Sequence, residues 1–350
     1  MNFFCEDHLR PMVPPLLDWY RANRKPLPWR TDRTPYHVWI SEIMLQQTRI
    51  EAVIPYYFRF LAELPDIPSL AACPDDRLMK LWEGLGYYSR VRNLRRAAQV
   101  IMENFNGEIP HTVAGLRSLP GIGDYTAGAI ASIAFGEPAP AVDGNVLRVV
   151  MRLTGADYDI AQPKVKSTVT SLLTGIYPSG EAAGELTEGL MELGEVVCIP
   201  NGEPKCGVCP LKDFCVAHRE GLTSCLPVKS ARAERREESK TVLLLFSGGR
   251  IAIRKRAPGG LLANLWEFPT LEGHLSEKEV CDFLRRSGSE VLSVEPCGKT
   301  SHIFTHLVWN MIGYRIVCAA PSQDYLWVLP QKLESLYALP SAFRYYRKQV

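Results

Sequence analysis

Leu119–Asn145, LPGIGDYTAGAIASIAFGEPAPAVDGN, is the stretch on which the reading of this chain turns. Leu119-Pro120-Gly121-Ile122-Gly123 is a tight turn whose two glycines leave successive backbone N–H groups open. Asp124 to Phe135 reads as a helix packed with small residues, and a break at Pro138–Pro140 precedes Asp143 in Val-Asp-Gly-Asn. A glycine turn feeding a helix N-terminus is an anion seat, because unpaired N–H groups and the helix dipole point the same way. A carboxylate beyond the proline break is then a candidate for chemistry beside that anion.

The rest of the chain sets the frame. Its 350 residues give a prior of two domains, each large enough for its own core. With 46% apolar and 22% charged residues, the composition is that of a soluble globular protein. No apolar run approaches the roughly 20 residues of a membrane span. The acidic N-terminus MNFFCEDHLR argues against a secretory signal, so a cytoplasmic chain is expected. A net charge of +2 is too small to argue for nucleic acid. Two basic groups, Arg21, Arg24, Lys25, Arg30 and Arg33, then Arg90, Arg92, Arg95 and Arg96, read on their own as solvated faces.

Residues 1 to about 225 read as all-α. Thr34-Pro35 precedes an amphipathic run Val38–Ile50, and Pro55 is expected to open a second helix, Tyr56–Leu64. Pro74–Leu81, Arg90–Phe105 and Thr112–Leu116 follow, divided by Pro, Gly and Asn. The charged stretch 226–240 reads as a linker. Beyond it, in 241–350, a smaller α+β domain is expected. Thr241–Phe246 and Arg250–Arg256 flank Ser-Gly-Gly as a hairpin, and Ser276-Glu-Lys-Glu279 is a capping box for a helix to about Arg286. His302–Val317 reads as two further strands.

Ten cysteines without a signal peptide do not make a disulfide framework. Six are scattered. The others, Cys198, Cys206, Cys209 and Cys215, stand as C-x7-C-x2-C-x5-C, close enough to converge on one metal centre. Tetrahedral zinc and an iron–sulfur cluster both fit four thiolates. A compact zinc site usually uses two C-x2-C pairs and this loop has one, which favours the iron–sulfur cube. Its expected role is structural.

LPGIG, the downstream Val-Asp-Gly and the four-cysteine loop together resemble the endonuclease III, or helix-hairpin-helix, superfamily of DNA glycosylases. Within it, SEIMLQQT (41–48), WEGLGYYSR (82–90), GIGDYTA (121–127), VDGNVLR (142–148) and MELG (191–194) resemble the MutY-type adenine DNA glycosylases. Leu265–Pro269, LWEFP, and Phe304-Thr305-His306 are similar to that family's C-terminal Nudix-like domain. The resemblance implies a multidomain chain. Residues 1–225 would form the helical glycosylase domain with an iron–sulfur loop at 198–215, and 241–350 a Nudix-like mismatch-recognition domain. It implies a monomer that removes adenine opposite 8-oxoguanine or guanine in double-stranded DNA, carrying a 4Fe-4S cluster and no membrane contact.

Residue by residue, the resemblance makes Asp143 the anion beneath the sugar cation that forms as the N-glycosidic bond breaks. Its plain reading, an N-cap for a helix from Gly144, is compatible, and a helix dipole would favour the ionised form. Periodicity alone puts Glu42 with Gln46 and Arg49 on a polar stripe. The resemblance makes Glu42 the acid that protonates adenine, which requires a raised pKa. Tyr125 stands where related bifunctional enzymes carry a lysine, so the amine for a Schiff base is missing. Asn145 matches a residue that supports the catalytic centre. Trp29, Arg30 and Glu188 match positions lining the adenine pocket, although unaided Trp29 reads as core and Glu188 as surface. Gln47, Thr48, Leu85 and Tyr87 match DNA-contacting positions, Gln47 and Tyr87 as wedges while the base leaves the stack. Gly121 and Gly123 would hold a DNA phosphate, with a cation bridging the turn and the phosphate.

Three departures mark the sequence. Thr305 replaces the family's serine between Phe304 and His306, and Cys198 and Cys206 stand one residue further apart than the family spacing. After Pro269 the run TLEGHLSEKEV lacks the glutamate-rich Nudix box, so clustered carboxylates for catalytic magnesium are missing. That points to a reader and away from a nucleotide hydrolase. An oxidised-pyrimidine glycosylase/lyase and a non-catalytic, metal-stabilised DNA-binding module are the rival readings.

Overall fold

A computed structural model describes residues 4–230 and 234–350. Residues 1–3 of the acidic N-terminus and 231–233 of the expected linker lie outside it. Two compact units form, Met1–Ala72 with Arg92–Ala231, and Cys73–Val91 with Arg232–Val350.

The first unit is helical. Its core gathers Leu16 from the helix Val13–Asn23, Val146, Val150 and Leu153 from Gly144–Thr154, Val169 from Pro163–Thr174, and Leu186, Leu190 and Leu193 from Glu181–Val196. The small-residue helix forms as read, Asp124–Phe135, and its composition has a packing cause. A Cβ on Gly128 would come within 2.3 Å of the Pro140 carbonyl oxygen, and one on Gly184 within 2.9 Å of Ile133 Cα. Larger side chains would push apart the helix and the segment leading to Asp143.

Two expectations fail here. The run Val38–Ile50 is not a single helix: Pro35–Leu45 ends before it, Gln47 turns left-handed at φ 57°, and a new helix spans Ile50–Glu63. Gln46 and Arg49 therefore share no helical stripe with Glu42. Pro55 lies inside the second helix and does not open it. The Arg49 carbonyl accepts from both Ala52 and Val53 N–H, tightening the first turn before the proline is reached.

The second unit is built on a mixed sheet of β1 (Arg236–Ser247), β2 (Arg250–Lys255), β3 (Trp266–Glu267), β4 (Thr270–Glu272), β5 (Val291–Ile303), β6 (Leu307–Cys318) and β7 (Leu326–Val328). The order is β3-β2-β1-β6-β5, with β4 on β1 and β7 on β2, and β1 runs parallel to β6. Both faces are covered, which is why β1 is apolar without alternation. Val242 and Leu244 face a cluster with Phe268, Trp309, Phe343 and Tyr346. Leu243 and Leu245 face Val280 and Leu284 of the helix Glu277–Arg286, which opens with the expected capping box. Gly248 and Gly249, at φ 54° and 72°, make the β1–β2 turn. β1 begins at Arg236, inside the stretch read as linker, because its polar end pairs with Leu307 and the residues after it on β6. β5 likewise starts well before His302, and Phe304-Thr305-His306 forms the turn between β5 and β6, closed by Phe304 N–H donating to the Leu307 carbonyl.

Candidate active site

In the helical unit a cavity of about 190 Å³ is lined by Trp29, Arg30, Glu42, Thr48, Tyr125, Asp143, Asn145 and Glu188, with Met191, Glu192 and Glu195. No lysine lines it. The fold thus brings eight of the sequence-predicted residues to one place.

Asp143 caps the helix Gly144–Thr154. Its Oδ1 accepts from the N–H groups of Asn145 and Val146, each at 2.8 Å, and its Oδ2 from Asn145 Nδ2 at 3.0 Å. Burial nevertheless pushes its carboxyl up from the ordinary range, with these donors and Arg148 pulling the other way. The helix terminus favours the anion as expected, but desolvation outweighs it.

Glu42 is in a different state. It is 6% exposed, and its Oε2 is buried with no hydrogen-bond partner. Burial pushes its pKa up to about 7; the nearby Tyr125 hydroxyl and Arg30 hold it down, while Glu188 and Asp143 push it further up. Among the carboxyls lining this cavity, Asp143 is held by three donors and Glu42 has an orphaned oxygen. The orphaned one carries a proton near neutrality and can give it to a bound base. Tyr125 is half-buried, donates to Met191 Sδ at 3.5 Å, and has its phenol pushed well up by desolvation and by Glu42.

Behind Asp143 the polar contacts continue to the cysteine loop. Asn145 Oδ1 accepts from Arg148 Nη2 at 2.9 Å, and Arg148 Nε donates to the Cys198 carbonyl at 2.8 Å. Arg152 Nη1 donates to Cys198 Sγ at 3.3 Å. Cys198, Cys206, Cys209 and Cys215 ring a small cavity with Val149, Leu153, Leu193 and Leu211. Among the described residues no three His, Cys, Asp or Glu side chains are grouped so as to hold a single metal ion. Four thiols around an apolar pocket, with an arginine on one sulfur, have the donor set of a thiolate-bound group.

Glu188 is not a surface residue. At 5% exposure its Oε2 accepts from Tyr20 at 2.7 Å and pairs with Arg33, and Arg30 Nε stands 3.5 Å from its Oε1. Arg30 also pairs with Glu192, Arg21 with Glu185 and Lys25 with Glu195. The first basic group is therefore no plain solvated face: four of its five members meet acids of the helix Glu181–Val196. The i, i+3, i+7 spacing of Glu185, Glu188 and Glu192 was the available signal. Trp29 is core as its composition suggests, edge-on to Tyr57, and lines the cavity as well.

At the turn, Gly121 has φ 78° and a Cβ there would meet Asn93 Cβ at 2.6 Å, whereas Gly123 has an ordinary φ of −94° and open space. Both are exposed at the start of Asp124–Phe135. Gln47 is exposed at its left-handed position.

In the second unit Tyr87 is also left-handed, at φ 46°, and 45% exposed. Its loop is held by Arg90, buried and donating to the Leu85 and Gly86 carbonyls, and by Trp82 Nε1 donating to Gly86. Arg90 is thus no solvated cation, and burial lowers its pKa to about 10. Leu85 is 6% exposed, so its side chain is not presented at the surface. The Tyr87 hydroxyl lies 3.0 Å from Thr305 Oγ1. Phe304 packs edge-on to Trp309 and His302, leaving Thr305 and His306 exposed.

Residues 40–174 match the HhH-GPD superfamily of base excision DNA repair proteins, and 241–349 a NUDIX domain. The chain is 32% identical to the adenine DNA glycosylase of Buchnera aphidicola subsp. Acyrthosiphon pisum, covering 85% of this chain and 83% of that one. The chain belongs to the adenine DNA glycosylase family. Other members of that family include the adenine DNA glycosylases of Schizosaccharomyces pombe, 30% identical over 95% of this chain and 88% of that one, and of Mus musculus, 33% identical over 83% and 68%. Among solved structures, a thermostable thymine-DNA glycosylase superposes with a TM-score of 0.55 at 26% identity, over 61% of this chain and 98% of its own. A non-covalent endonuclease III–DNA complex gives 0.53 at 25%, over 62% and 98%. Among the described residues, no helix is long and apolar enough to cross a membrane.

Proposed function

We propose that the chain is a monofunctional adenine DNA glycosylase that hydrolyses the N-glycosidic bond of adenine paired with 8-oxoguanine or guanine. The observation that carries this is the cavity in which a buried Glu42 with an unpartnered oxygen and a hydrogen-bonded Asp143 stand together, with no lysine among the described residues that line it. Glu42 gives its proton to the base, so adenine leaves as a neutral molecule. The C1′–N bond breaks, and Asp143 stabilises the positive charge left on the sugar. Water adds at C1′ and returns its proton to the Glu42 carboxylate. Asn145 and Arg148 hold Asp143 in place.

Trp29, Arg30 and Glu188 receive the base, and Gln47, Thr48 and Tyr87 act at the duplex, with the buried Leu85 supporting the Tyr87 loop from within. The turn at Gly121 and Gly123 binds a phosphate through N–H groups and a bridging cation. Phe304, Thr305 and His306, on the exposed β5–β6 turn, inspect the base opposite. The division of labour follows the two units, with Cys73–Val91 joining 241–350 and β1 taking up the end of the 226–240 stretch. The enzyme acts as a cytoplasmic, nucleoid-bound monomer.

Cys198, Cys206, Cys209 and Cys215 would hold a 4Fe-4S cluster. When bound, that cluster supplies cross-linking of the loop, with no part in the bond-breaking step. Borohydride trapping on a duplex with A opposite 8-oxoguanine tests the reading. Free adenine with no covalent adduct is expected, and an adduct would show lyase chemistry and overturn it.

A further inference from the structure

Glu83 is the hub of a compact polar cluster in the second unit. Its Oε1 accepts from the Leu339 N–H at 3.1 Å and from Arg347 Nη1 at 2.9 Å, and its Oε2 pairs with Lys80 Nζ. Lys80 donates in turn to the Tyr337 carbonyl at 3.3 Å. Nearby, Asp76 Oδ1 accepts from Lys255 Nζ at 2.8 Å and from Trp266 Nε1 at 3.2 Å. All of these residues belong to the one unit made of Cys73–Val91 and Arg232–Val350. The Glu83 side chain is only 16% exposed, so its contacts are shielded more than surface ion pairs are. Four residues along the chain, Tyr87 meets Thr305.

We infer that Glu83 is a positioning residue for opposite-base discrimination, anchoring the Tyr87 loop to the domain that carries Thr305 so that the two side chains present one reading edge. The loop is rigid from Trp82 onward, since Trp82 Nε1 and Arg90 hold the carbonyls of Leu85 and Gly86. An anchor at Glu83 therefore fixes where the Tyr87 hydroxyl stands. Without it, Thr305 keeps its turn but loses its partner at a defined place. The inference rests on the reading of Thr305 as part of the element that inspects the opposite base.

The test compares single-turnover base release, in the full chain, from A opposite 8-oxoguanine and from A opposite guanine. Glu83→Ala should lower the ratio of the two rates about tenfold, the loss expected when charge-assisted contacts go. The rate opposite guanine should stay nearly the same. Glu83→Gln keeps an acceptor for Leu339 and Arg347 and should retain most of the ratio. Without DNA, Glu83→Ala should also raise amide hydrogen exchange in the Tyr87 loop and the Thr305 turn together. An unchanged ratio, a parallel fall of both rates, or exchange rising at neither segment overturns the inference while leaving the glycosylase reading intact. A wild-type chain that releases adenine without regard to the opposite base overturns the reading of Thr305, and this inference with it.

Discussion

Glu42→Gln isolates the electrostatic cost of the proposed acid. Burial moves the Glu42 carboxyl from 4.5 to about 7, and each pH unit of displacement corresponds to 1.36 kcal/mol. Below the unfolded value both states hold the proton and nothing differs. Between 4.5 and about 7 the unfolded chain releases it and the folded chain does not, so stability falls as pH rises. Above about 7 both are ionised and the loss is complete, at about 3 kcal/mol. Glutamine has no proton to lose, so the variant escapes this fall. For a unit of this size that corresponds to roughly 6–12 °C in melting temperature. Melts of the helical unit, followed by circular dichroism, should nearly coincide at pH 5, with the variant melting higher at pH 8.5. Asp143 and Glu188 titrate in both proteins and largely cancel in the comparison. A difference that does not change between the two pH values would refute the placement of Glu42 as a buried neutral acid. Base release by the variant should be absent at either pH.

Arg148→Met would strand the carbonyls of Cys198 and Gly194 and leave Asn145 Oδ1 without its donor; a loss of about 3 kcal/mol in chemical denaturation and slower base release are expected. Gly121→Ala forces a left-handed alanine against Asn93 and should cost about 1–2 kcal/mol or more in thermal melts. Gly123→Ala, with open space and an ordinary φ, should stay within about 0.5 kcal/mol of wild type. Purified wild type should show broad visible absorption and bind iron, and Cys209→Ser should reduce both; a colourless protein holding one zinc would contradict the cluster assignment.

Local signals were legible where one residue type decides the geometry. The helix Asp124–Phe135, the capping box at Ser276 and the Gly248-Gly249 hairpin stand where spacing put them. Asp143 as an N-cap was legible for the same reason. What periodicity misjudged was burial. Glu42 and Glu188 look like surface carboxylates because their partners, Tyr125, Tyr20 and Arg33, come from distant segments. Gln47 stopped the helix expected through Ile50 by a left-handed turn that glutamine rarely favours, so composition carried no warning. The polar start of β1 looked like linker because it is paired through its backbone to β6, a parallel partner far along the chain.

The central claim is that Glu42 and Asp143 hydrolyse the bond without an amine nucleophile. Single-turnover reaction on a duplex with A opposite 8-oxoguanine, following free base and strand integrity together, tests it most directly. Wild type should release adenine and leave an abasic strand intact until alkali is added, and Asp143→Asn should release almost none. Strand cleavage without alkali, or an Asp143→Asn variant as fast as wild type, would contradict the account.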